Sequence, residues 1–120
     1  MEPIVSLEDA KAYLRLDSSY EDGLVSSLLL AAESFCRDVA RLSRQEWDDL
    51  CRVDTDEGAN PVTIRSRLFS AAEALQYREL LRISILYAVG YLFEHREEAD
   101  HHGLALTLWN LLFSIREGVV

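Results

Sequence analysis

The chain is short of positive charge, of cysteine, of glycine and of long apolar runs, and each shortage removes a class of function. Lys and Arg together number 12 against 21 Asp and Glu, a formal charge of −9. Non-specific binding to phosphate backbones needs clustered cations, so a general nucleic-acid grip is excluded, while basic protein partners remain compatible. The two cysteines, Cys36 and Cys51, make neither a disulfide framework nor a metal-ligand cluster. Cys36 falls on one helical face with Val25, Leu29 and Ala32, which marks it as a small buried hydrophobe. The densest apolar run, Ile83 to Phe93, is too short to cross a bilayer and is flanked by charges. Met1-Glu2-Pro3-Ile4 lacks the basic and apolar segments of a signal peptide. The expectation is a soluble, intracellular protein without a membrane partner.

Signatures of chemistry are also missing. The sequence holds no glycine-rich phosphate loop, no nucleophile elbow and no His-Glu-x-x-His zinc helix. Asp54-Thr55-Asp56 could open a calcium loop, but the required turn glycine falls on Ala59 and the bidentate acid on Arg65. His95, His101 and His102 gather near Glu97, Glu98 and Asp100 and invite a metal reading. No two of the histidines have the i,i+4 spacing that places ligands on one helix face, so a solvated helix end is the better reading. No catalytic residue, metal ligand or cofactor site is therefore assigned, and the chain is read as no enzyme.

What is present is helical packing surface. About half of the 120 residues are apolar, which suits one globular domain spanning residues 1–120. Ser6 with Asp9 and Ser43 with Glu46 have capping-box spacing, and Ser18 with Glu21 or Ser19 with Asp22 offers another start. From Gly23 to about Leu42 two adjacent apolar stripes run along one helix: Leu24, Leu28, Ala31, Phe35 and Val39 beside Val25, Leu29, Ala32 and Cys36. A face that wide serves either a central helix or one shared with a neighbour. Asp54 to Pro61 reads as a polar loop, Val62-Thr63-Ile64 as briefly extended, and Arg65 to Gln76 as ambiguous with helix favoured. A strongly apolar helix follows from about Tyr77 to Glu97. Gly90 inside it costs about 1 kcal/mol against Ala unless another helix packs close to that backbone.

The last helix, about Leu104 to Glu117, is apolar almost all round. Its uncharged polar residues, Thr107, Asn110 and Ser114, form one narrow stripe. A small core cannot satisfy such a helix from one side, which implies a protein partner. The fold expected is all-α, a small bundle of about four main helices with a long polar loop.

Two blocks then resemble a known family. Leu7-Glu8-Asp9-Ala10-Lys11-Ala12-Tyr13-Leu14-Arg15-Leu16-Asp17, with Glu21-Asp22-Gly23-Leu24-Val25 and Ala31-Ala32-Glu33, is similar to the opening of phage head–tail connector proteins. Ile85 to Glu97 resembles a second segment of that family, and Leu111-Leu112-Phe113-Ser114-Ile115-Arg116 its leucine-rich ending. Gln45 to Leu75 matches nothing in it, and Gly90 and Phe93 depart from its usual residues. The resemblance implies a structural protein of the virion, made in the bacterial cytoplasm and placed at the head–tail junction. It would form a ring of about twelve copies, dock on the portal protein, extend the DNA channel without binding DNA specifically, and receive the next head-completion or tail protein. The subunit contact is expected at Val25, Leu29, Glu94, Arg96, Glu97 and Glu98. The portal contact is expected at Trp109, Phe113, Arg116 and Val120. The alternative is a small helical interaction module or regulator that dimerises through its last helix.

Overall fold

Three Ser-x-x-acid boxes set where helices begin. In the computed structural model, which describes residues 3–53, 61–64, 67–95 and 102–117, Ser6 caps α1 (Leu7–Leu14) and Ser43 caps α3 (Arg44–Cys51). In both, the serine Oγ accepts from the backbone N–H three residues on, and the acid there accepts from the serine N–H. Ser70 and Glu73 make the third box, opening α4 (Ala71–Glu94). Between α1 and α3 lies α2 (Asp22–Ala40), whose N-cap is Glu21 with no side-chain cap bond. The Ser18 and Ser19 start signals are thus not used as caps; Ser18 Oγ instead accepts from the Tyr20 N–H within the turn.

Helices α1 and α2 end alike. Arg15 and Arg41 adopt the left-handed conformation (φ 60° and 57°), and the leucine after each donates its N–H back to the carbonyl five residues earlier. This is a Schellman ending with arginine where glycine is usual, and Leu16 and Leu42 turn inward against the core behind it. The connection to α4 is a hairpin of β1 (Val62–Ile64) and β2 (Arg67–Phe69), antiparallel with Val62 opposite Phe69. The helix favoured over Arg65 to Gln76 is therefore corrected: 67–69 is a strand, and helix begins at Ala71. Two further helices, α5 (His102–Leu111) and α6 (Phe113–Glu117), close the described chain.

The result is an all-α bundle carrying one small hairpin. The most extensive contact joins α2 to α4, and α1, α3, α5 and β2 all pack on α4 as well. The inner stripe of α2 (Val25, Leu29, Ala32, Cys36, Ala40) meets Leu81, Ile85, Ala88, Val89 and Leu92 of α4 in one core, joined by Leu104, Leu108, Leu112 and Ile115. Ser84, buried in the middle of α4, satisfies its hydroxyl on the Leu80 carbonyl at 2.8 Å. Gly90 has the close neighbour its position requires: a Cβ there would lie 2.9 Å from Cε2 of Tyr13, so the ring of α1 rests on α4 backbone. No helix among the described residues is long and apolar enough to cross a membrane.

Burial also perturbs charge in the α2 region. Desolvation raises the Glu33 carboxyl above its ordinary value near 4.5, and nearby Arg37 offsets only part of that. A raised folded-state value means that the folded chain holds this proton more tightly than the unfolded chain. The folded state is favoured below pH 4.5, and that advantage disappears as pH rises through the folded-state value. Glu33→Gln should therefore raise the melting temperature at pH 7 and give no gain near pH 4; an equal gain at both would contradict the assignment.

Candidate interaction surfaces

The residues singled out in the sequence fall into three places. Val25 and Leu29 are 0 % and 8 % exposed and belong to the core, so they are not a subunit contact; the α2 face open to solvent is the opposite one. Glu94 is exposed at the end of α4. Arg96, Glu97, Glu98 and Val120 lie outside the described residues, as do His101 and most of the Asp54–Pro61 loop. His95 acts as a helix cap: its N–H and its ring Nδ1 both reach the Tyr91 carbonyl, at 2.9 and 3.0 Å, and its ring stacks on Tyr91. A carbonyl can only accept, so Nδ1 carries the proton in that contact. Among the described residues no three His, Cys, Asp or Glu side chains gather as metal ligands.

Trp109, Phe113 and Arg116 do come together. Leu104, Leu108, Leu112 and Ile115 take the inward side of α5 and α6, which leaves Leu106, Trp109 and Phe113 outward at 52 %, 38 % and 40 % exposure. The chain turns at Leu112, between the two helices. Trp109 and Phe113 meet edge to face at 5.1 Å, with the Arg116 guanidinium 5.9 Å from the Trp109 ring. Arg116 Nη1 also donates to the Val39 carbonyl at 3.1 Å, near the C-terminal end of α2 where a cation is favoured. One side chain thereby fastens α6 to α2 and supports the aromatic pair. A shallow groove bounded by Ala31, Phe35, Asp38, Val39 and Arg116 continues this surface across α2. Full burial of a large apolar side chain is worth about 1.5–3 kcal/mol, so covering these three half-exposed ones would yield on the order of 3 kcal/mol.

A second surface was not found from the sequence. Tyr13, Tyr87 and Gly90 line a half-open groove of about 540 Å³ between α1 and α4, with Arg15 at the end of α1 and Glu94 at the end of α4. Ile83, one turn before Tyr87, is exposed on the same helix. The signal was the spacing of Ile83, Tyr87, Gly90 and Glu94 along one helical face; what the spacing lacks is the partner, since Tyr13 arrives from another helix. Lys11, paired with Asp22 at 2.9 Å, holds that helix to the start of α2.

The thiols are not part of either surface. Both cysteines are buried; burial pushes Cys36 up to about 12 and raises Cys51 as well. Both therefore stay protonated and unreactive at neutral pH.

No protein-family model, no curated protein and no solved structure matches this chain.

Proposed function

We propose that the chain is a non-enzymatic head–tail connector subunit of a tailed phage or prophage. Copies form a ring beneath the portal vertex, extend the DNA channel and offer a platform to the next head-completion or tail protein. The observation that carries this reading is the apolar α5–α6 face: a segment that already supplies Leu104, Leu108, Leu112 and Ile115 to the core keeps Leu106 and Trp109 of α5 and Phe113 of α6 outside. Such a face is built to be covered by protein. The two sequence blocks add the identity of the assembly, and the net charge of −9 suits a channel that DNA passes without adhering. In this reading Trp109, Phe113 and Arg116 dock on the portal.

The genetic test is direct. Deleting the reading frame from the genome that encodes it, then inducing particles, should give DNA-filled heads without tails. Infectious tailed particles at the normal yield would overturn the reading.

A further inference from the structure

The carbonyls in the last turn of a helix have no acceptor role in its own ladder and must be satisfied from elsewhere. At the end of α2 the Arg37 and Asp38 carbonyls accept from the N–H groups of Leu42 and Arg41, which closes the Schellman turn. The Val39 carbonyl accepts instead from Arg116 Nη1, across 77 positions of sequence. Buried Ile115 fixes the backbone beside Arg116, and Asp38 lines the same groove as the Arg116 side chain. The guanidinium is thus engaged within its own chain. It also lies 5.9 Å from the centre of the Trp109 ring, within cation–π range, while Phe113 meets that ring at 62° and 5.1 Å. A half-exposed tryptophan on a helix is otherwise free to change rotamer, and ordering it on binding costs affinity.

We infer that Arg116 is a positioning residue: by bridging the Val39 carbonyl and the Trp109 face, it holds the indole in its docking orientation before a partner arrives. For what docks, the inference rests on the connector reading, and it deepens that reading by separating the anchor from its support. Trp109 and Phe113 make the contact, and Arg116 takes part in docking through Trp109.

The first test uses the chain alone with fluorine-labelled tryptophan, which gives one resonance each for Trp47 and Trp109; the Trp109 line is the one lost in Trp109→Phe. Arg116→Met keeps the apolar stem but removes the charge and the donors. It should shift or split the Trp109 line and leave the Trp47 line in place, and Arg116→Lys, which retains a cation and a donor, should bring the line back toward its original position. An unmoved Trp109 line would overturn the inference. Movement of both lines would overturn it too, since Arg116 would then be holding the fold rather than the ring. The second test is docking onto cognate portal rings. Arg116→Met should weaken it about tenfold in the unmodified chain, and by roughly twofold at most when Trp109→Ala is already present. Equal losses in the two backgrounds would overturn the inference, because Arg116 would then act without Trp109. Portal rings that fail to bind the unmodified chain would overturn the connector reading alone, and the fluorine spectrum would still decide what holds the ring.

Discussion

Phe69→Ala should destabilise the fold by about 3–5 kcal/mol, the cost of emptying a large aromatic site in a packed core. Phe69 is 1 % exposed and closes the hairpin onto α4, with its ring edge-on to Tyr77 at 5.0 Å and Arg67 4.8 Å above it. It also immediately precedes Ser70, the cap of the central helix. A domain of this size has a total stability of about 5–15 kcal/mol, so the loss would be a large fraction of it. Leu68, the neighbouring strand residue, faces solvent, and Leu68→Ala should stay within about 0.5 kcal/mol. Urea titration of both variants measures the contrast. A Phe69→Ala midpoint close to that of the unmodified chain would mean that the hairpin is an appendage rather than part of the core.

On the connector reading proposed above, Trp109→Ala should weaken docking to the cognate portal ring by roughly 30-fold or more, the effect of losing an aromatic anchor worth about 2 kcal/mol. The side chain is held in place: Phe113 meets its edge and Arg116 lies across its face. Because more than a third of the residue is open to solvent, the same substitution should cost the isolated fold much less than the emptying of Phe69. Asn110→Ala, next to it and exposed, serves as the control and should leave binding unchanged. Titration of each variant onto immobilised portal rings, with thermal melts alongside, separates docking from folding. Undiminished binding by Trp109→Ala would remove this face from the contact.

Much of the fold was legible in the sequence because helix starts are written locally. Ser6 with Asp9 and Ser43 with Glu46 needed only their own spacing, and both made full capping boxes. Ser70 with Glu73 has the same spacing but was hidden by an alanine-rich stretch that suggested helix on both sides of it. The helix ends were harder to read: Arg15 and Arg41 take a left-handed backbone that glycine would have announced. The hairpin was half visible, as Val62 and Ile64, because its second strand is only three residues with Leu68 facing outward. The two stripes of α2 were both evident, but which one faces inward is decided by α4. That choice turned Val25 and Leu29 from a proposed contact into core. The need for a close neighbour at Gly90 was readable from one residue; that Tyr13 supplies it was not.

The measurement that tests the central claim most directly is the solution mass of the unmodified protein over a wide concentration range, with negative-stain imaging of any large species. The connector account predicts closed rings with an axial channel, formed by the chain alone or when portal rings are added. A dimer that persists at every concentration and does not bind portal rings would contradict it, and would place the α5–α6 face at the centre of a two-fold interaction module instead.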